Sequence, residues 1–272
     1  MRRLFVAALL TCAAACAPAS KPATSVATGA DVTVLVFNIH AGKDAGGKDN
    51  LTAVAALARD VKADLVLLQE VDRGTKRSGN VDQVKVMGDA SAFGTAFGRS
   101  LDYDGGQYGI AALSRGGFDA QFTEALPVTP AQTRSGGSHE PRAALVVVAR
   151  TPIGRLTALN THLDASREET YRLQEVAHVL TILERSRKSR LPIVAGGDFN
   201  AEPGSEVHKR VLAAGLRDSW LECGEGDGFT YPADKPVKRI DYLFLTGSLR
   251  CTSARVIDTQ ISDHRPLLVG LR

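Results

Sequence analysis

The chain has 272 residues, 44% hydrophobic, 23% charged and 6% aromatic, a balance that fits a soluble globular protein with a packed core. Its 33 basic and 30 acidic residues give a formal charge of +3 with no long run of one sign, which excludes a protein that coats polyanions. The 26 glycines and 11 prolines are scattered, which excludes collagenous and low-complexity classes.

Met1-Arg2-Arg3 and the apolar run over residues 4–15 read as a secretory signal peptide, too short to cross a bilayer as a helix. Cys16 follows three alanines and resembles the lipidated cysteine of the bacterial lipobox, although Ala13 stands where that pattern has Leu. The alternative is plain cleavage after Ala19, in Ala17-Pro18-Ala19. Both routes imply export, either to the cell envelope as a lipoprotein anchored in the membrane through Cys16 or as a secreted protein. Residues 16–31 then form a flexible tether, and residues 32–272 one domain. Loss of residues 1–15 removes Arg2 and Arg3 and leaves a formal charge of +1. The domain keeps two cysteines, Cys223 and Cys251, which can form a disulfide or remain two buried thiols.

Apolar β-branched runs at 32–37 and 64–68 predict buried strands ending at Asn38 and at Gln69-Glu70. Between them Leu51, Val54, Ala58 and Val61 recur at helical spacing after Asn50, a residue suited to the N-cap. Strands follow at 108–113, 143–149 and 155–160, the last two joined as a hairpin through Thr151-Pro152-Ile153-Gly154. Ser166 and Glu169 fit a capping box before a long helix with an apolar stripe at Leu173, Val176, Ala177, Leu180 and Leu183. A strand at 191–195, a helix at 206–214 and strands at 240–245, 254–257 and 266–271 complete the chain. Strands and helices alternate without a break after residue 31, which predicts one α/β domain.

Apolar runs stop repeatedly at a carboxylate, amide or imidazole: Asn38, Glu70, His162, Asp198 with Asn200, and Asp241, with Ser262-Asp263-His264 just before the last strand. Strand ends are where a rigid scaffold can hold polar groups around a cleft. Carboxylates and amides without cysteine suit a hard cation, Mg²⁺ or Mn²⁺, with Glu70 and Asp263 as the leading ligands. A hard divalent ion, two histidines and fixed carboxylates are what phosphoester hydrolysis requires, because charge on the phosphoryl oxygens must be neutralised while water is activated.

Phe37-Asn38-Ile39-His40, Leu68-Gln69-Glu70, Asn160-Thr161-His162-Leu163-Asp164, Gly196-Gly197-Asp198-Phe199-Asn200, Arg239-Ile240-Asp241-Tyr242 and Ser262-Asp263-His264-Arg265-Pro266 occur in the order of the endonuclease/exonuclease/phosphatase superfamily. The chain resembles that family over residues 32–271. Val71-Asp72-Arg73-Gly74-Thr75 and Asp102-Tyr103-Asp104-Gly105-Gly106 also resemble a bacterial subgroup of metal-dependent hydrolases.

The resemblance implies a four-layer α/β sandwich of the deoxyribonuclease I-like fold, with the cleft at one end of two facing sheets. It implies that Glu70 binds metal with Asn38 and Asp263 near it, and that His162 contacts a phosphate oxygen. Asp198 and Asn200 position or deprotonate the attacking water, and Asp241 orients His264; the general base is Asp198 or His264. Arg142 is expected to contact substrate phosphate, and Tyr108 and Asp104 to line the cleft. Where relatives have Gly-Asn-Ala, this chain has Gly109-Ile110-Ala111, which removes one polar group. His139, His178 and His208 read as structural or exposed, and Trp220 as core.

The expected activity is a metal-dependent phosphodiesterase acting on nucleic acid. The alternatives are a lipid-headgroup phosphodiesterase of the sphingomyelinase kind, a sugar or inositol phosphate phosphatase, and a non-catalytic surface-binding lipoprotein. A monomer is the expected state.

Overall fold

In the computed structural model, which describes residues 31–128 and 140–272, the first apolar run forms β1 (Val32–Asn38). After it come α1 (Leu51–Asp60), β2 (Leu65–Arg73), α2 (Gln83–Ser91), β3 (Gly94–Tyr103) and β4 (Gly106–Ser114). The chain continues through β5 (Phe118–Ala125), β6 (Ala143–Thr151), β7 (Gly154–His162), α3 (Thr170–Ser186) and β8 (Ile193–Asp198). The last part holds α4 (Glu206–Ala213), β9 (Arg217–Asp218), α5 (Ser219–Cys223), β10 (Asp241–Leu245), β11 (Cys251–Val256) and β12 (Leu267–Leu271). The signal and tether expectations, and His139, fall outside the described residues.

Two six-stranded sheets, ordered β11-β12-β1-β2-β4-β3 and β5-β6-β7-β8-β10-β9, face each other. Leu67, Ile110, Leu145, Val194 and Leu243 fill the space between them. Val176, Val179 and Ile182 of α3 and Val207 and Val211 of α4 pack on the outer face of the second sheet. Val54 and Ala58 of α1 and Val84 and Met87 of α2 cover the outer face of the first. Helix, sheet, sheet and helix give the four-layer sandwich, because strands that are apolar on both faces need cover on both. Truncating Leu67 or Leu243 to Ala at the central layer would cost ~2–5 kcal/mol.

The register decides where the site forms. β1 runs parallel to β2, and β7 parallel to β8 with His162 opposite Asp198. β10 runs antiparallel to β8 and sets Asp241 opposite Asp198. Asn38, His162 and Asp198 therefore end their strands at one end of the sandwich, and Asp241 begins its strand there. At that end Gly197 has φ +136°, and a Cβ on it would lie 1.9 Å from the Thr161 carbonyl oxygen, so only glycine fits.

The hairpin of β6 and β7 forms as expected, with Thr151 paired to Gly154. Several local expectations do not hold. Asn50 makes no capping bond; it is buried, and its Nδ2 donates to the carbonyls of Ile39 and Ile261 at 3.0 and 2.6 Å. The Ser166 and Glu169 capping box is absent: α3 starts after Glu169 without a side-chain cap, and Ser166 Oγ donates to Asp164 Oδ1 instead. β2 does not stop at Gln69-Glu70 but continues to Arg73 through a register shift between Leu68 and Val71. Cys223 and Cys251 are joined as a disulfide that ties α5 to β11.

Candidate active site

Asp198 lies at the centre of the site. Its Oδ2 is 3.6 Å from His162 Nε2 and 3.7 Å from His264 Nε2, and it accepts a hydrogen bond from Asn38 Nδ2 at 3.1 Å. The Asn200 amide N–H donates to Asp198 Oδ1 at 2.9 Å, while Asn200 Nδ2 is spent on the Leu163 carbonyl at 3.0 Å. Behind His264, Asp241 Oδ2 accepts from Nδ1 at 2.9 Å, and Asp241 Oδ1 is buried without a partner among the described residues. These six residues come from β1, β7, the end of β8 and the turn after it, the start of β10 and the loop before β12.

Asn38, expected as a metal ligand, instead turns its NH₂ inward. It is fully buried, and Nδ2 donates to both Glu70 Oε1 and Asp198 Oδ2 at 3.1 Å, while Oδ1 accepts the His40 N–H at 3.0 Å. Exchanging the amide's oxygen and nitrogen would set an oxygen against two carboxylates, so the network fixes its orientation. Ser262 Oγ donates to the Asn38 carbonyl at 2.8 Å and docks the Asp263-His264 loop on the end of β1. Glu70 sits in the β2 bulge with φ +57°, and Asn200 has φ +47°, conformations that cost about 1–3 kcal/mol each and concentrate at functional sites.

Arg142, expected on substrate phosphate, contacts His162: Nη1 lies 3.0 Å from Nδ1. A guanidinium can only donate, so Nδ1 accepts and the imidazole proton resides on Nε2, facing Asp198. The same guanidinium pairs with Glu140 Oε1 at 3.1 Å, and its Nε is buried without a partner among the described residues.

The electrostatics separate the two histidines. Burial, then the Arg142 and His264 cations, push the His162 pKa well below the ordinary imidazole value, so it is neutral. Burial also opposes the charge on His264, but Asp241, Asp198 and Asp263 outweigh it and raise its pKa, favouring imidazolium. Burial and the neighbouring Asp241 raise the Asp198 pKa above the usual carboxylate range.

A cleft of about 660 Å³ opens over these groups, lined by Glu70, Asp263, His162, His264, Asp198 and Asn200. Among the described residues, the acidic and imidazole atoms within 4.8 Å of one another belong to Asp198, Asp241 and His264. Two of these are already engaged with each other. Glu70 and Asp263 supply the further carboxylates on the cleft wall, and this all-oxygen donor set fits a hard divalent cation.

Tyr108 sits behind the cleft wall rather than on it, where burial and the nearby Glu70 charge raise its phenol pKa. It is buried, with the Arg77 guanidinium 5.2 Å from its ring centre and Tyr103 6.5 Å away. Asp104 is taken up by the same assembly, accepting the Arg77 N–H. Ile110, where the resemblance leads one to expect a polar residue, is buried between the sheets and belongs to the core layer. His208 is buried against Asp218 at 3.1 Å, His178 bonds Glu124 at 2.7 Å, and Trp220 packs in the core. The sequence reading missed Tyr231, whose ring lies 4.8 Å from that of His264, and Arg172, Arg167 and Lys238 on the cleft wall. Arg172 holds the segment after β7 through the Asp164 and Ser166 carbonyls at 3.0 and 2.5 Å.

A family model described as the Endonuclease/Exonuclease/phosphatase family matches residues 35–264. Among solved structures, an endonuclease/exonuclease/phosphatase from Beutenbergia cavernae DSM 12333 is 22% identical, with a TM-score of 0.72, covering 89% of this chain and 71% of that one. The mannosyl-6-phosphatase of Bacteroides thetaiotaomicron VPI-5482 is 19% identical, with a TM-score of 0.71, over 89% and 99% of the two chains. The human Nocturnin catalytic domain is 18% identical, with a TM-score of 0.66, over 89% and 94%. A comparison with curated proteins found no match. These structures share the two facing sheets and their helical cover, and the family match spans every residue of the site from Asn38 to His264: the chain belongs to the endonuclease/exonuclease/phosphatase family.

Proposed function

We propose that the chain is a divalent-metal-dependent phosphodiesterase with nuclease activity, carried by Asp198 held between His162 Nε2 and His264 Nε2 in an acidic cleft. Glu70 and Asp263 would hold the ion, Mg²⁺ or Mn²⁺, which would neutralise charge on the phosphoryl oxygens. Asp198 takes the proton of the attacking water, and Asn38 and the Asn200 N–H keep its carboxylate aimed at that water. His264, oriented by Asp241, and His162, oriented by Arg142, present Nε2–H donors to the phosphoryl oxygens as negative charge develops.

Arg167 and Lys238 on the same wall support a substrate that continues past the scissile phosphate, as a diester does. The phosphatase alternative draws support from the similarity to the mannosyl-6-phosphatase. Export and anchoring through Cys16 belong to the same proposal, supported by the sequence of residues 1–19.

Nicking of supercoiled DNA in Mg²⁺ and in Mn²⁺ tests the reading, with EDTA and His264→Ala as controls. Cleavage that requires both metal and His264 is expected. Folded protein that leaves DNA intact but releases phosphate from a sugar phosphate would overturn the nuclease assignment.

A further inference from the structure

The end of the sandwich opposite the cleft has a charge pattern of its own. β1 carries Asn38 at the cleft and begins at Val32, about 20 Å away at ~3.3 Å per residue, so residues 1–31 join the domain at the far end. Lys62, Arg155, Lys188, Arg190, Arg250 and Arg272 are exposed at that same end and carry no ion pair among the described residues. The register places them there. Lys62 precedes the start of β2, Arg155 begins β7, Lys188 and Arg190 precede β8, and Arg250 and Arg272 flank β11 and β12.

Two pairs of like charge face each other across strands. Arg150 is directly opposite Arg155 in the β6–β7 register. Arg250 and Arg272 exchange both backbone hydrogen bonds, at 2.9 and 3.1 Å. Like charges opposite one another destabilise a sheet, and of these four arginines only Arg150 has a carboxylate partner among the described residues, Asp119 at 2.7 Å. The acids Asp31 and Asp60 are exposed there too, as are Asp119 and Glu184 in pairs with Arg150 and Arg187, yet the bases outnumber them while the exported chain as a whole is near neutrality.

The geometry points to a docking surface for an anionic phospholipid bilayer at this end, with the cleft facing away from the membrane. The charge complements anionic headgroups, each Lys or Arg near such a surface contributing about 1 kcal/mol. Residues 16–30, even fully extended, span at most ~50 Å, so a chain anchored at Cys16 would keep this end, where the tether joins, within that reach of the bilayer. The cleft would then meet soluble substrates rather than headgroups of the same leaflet. The surface is separate from the site, so its test is independent of what the cleft hydrolyses.

Co-sedimentation with vesicles tests the inference, using the chain from residue 16 with Cys16→Ser so that no acyl chain contributes. Binding to phosphatidylcholine vesicles containing phosphatidylglycerol, absent with phosphatidylcholine alone and weakened by salt, is expected. The triple variant Arg155→Glu, Lys188→Glu, Arg190→Glu should lose ~100-fold or more in affinity, since three contacts are replaced by repulsion. Lys48→Glu, Lys76→Glu, Lys235→Glu, on loops at the cleft end, should bind as the parent does. Equal binding to neutral vesicles, no binding to anionic ones, or equal loss in both triple variants would overturn the assignment.

Discussion

Arg142 Nη1 lies 3.0 Å from His162 Nδ1, so a buried cation fixes the tautomer of a buried neutral imidazole. Arg142→Ala should free the ring to take either tautomer and raise the His162 pKa, because one of the cations depressing it is gone. Activity is expected to fall about 10–100-fold. Nitrogen NMR of the imidazole should show the proton on Nε2 in the parent and a mixture in the variant; an unchanged spectrum would contradict the contact.

Asp241 and His264 form a second oriented pair, 2.9 Å apart. Asp241→Asn should keep the shape but remove the charge that raises the His264 pKa, costing roughly 10²-fold or more in kcat/KM. A kinetic assay on a chromogenic diester, with thermal unfolding as the folding control, checks this. Activity within a few-fold of the parent would remove Asp241 from the mechanism.

Asn38 separates two carboxylates. Asn38→Asp would bring a third carboxylate against Glu70 and Asp198, so the variant should melt lower than the parent in EDTA and recover when Mn²⁺ is added. A variant whose melting temperature does not respond to Mn²⁺ would contradict cation binding beside Glu70.

Glu175 gives a pH-dependent stability term away from the chemistry. Burial raises its pKa to about 8, partly offset by the Asp164 N–H at 2.7 Å and by Arg142. The folded chain therefore holds this proton where the unfolded chain has released it. The stability associated with that proton is full below the ordinary glutamate range and declines as pH rises toward 8. Glu175→Gln should abolish that slope and gain, relative to the parent, at most about 4–5 kcal/mol at alkaline pH. Denaturant unfolding from acid to alkaline pH measures it, and parallel slopes in the two proteins would contradict the assignment.

The Cys223–Cys251 bond closes a separation of 28 residues. In the chain-entropy account the Cys223→Ser, Cys251→Ser double variant should lose roughly 3–4 kcal/mol, measured by denaturant unfolding with unchanged activity, since neither residue lines the cleft.

Strands such as β1, β6 and β8 were legible because both their faces are buried, which writes a continuous apolar run into the sequence. β5 was not: Asp119, Gln121 and Glu124 leave it mostly exposed, without a clean alternation. The site residues were legible as residue types at the ends of apolar runs, but their contacts were not. The left-handed backbone at Glu70 has no compositional signal. The Arg142–His162 contact had none either: the hairpin register set by the Pro152-Ile153 turn runs to Ala144 opposite Thr161, and counted one step further it sets Ala143, not Arg142, opposite His162. Asn50 and Ser166 misled because the same side chains that cap helices also bond elsewhere, Asn50 bridging two loops where it is buried and Ser166 closing a local turn on Asp164.

The most direct test is phosphodiester hydrolysis by the purified domain in Mn²⁺, comparing the parent with Asp198→Asn and His264→Ala, each shown to be folded. Metal-dependent turnover is expected, abolished by EDTA and lowered by about 10²–10⁴-fold by either substitution. Turnover that survives EDTA, or that either variant retains at the parent's rate, would contradict it.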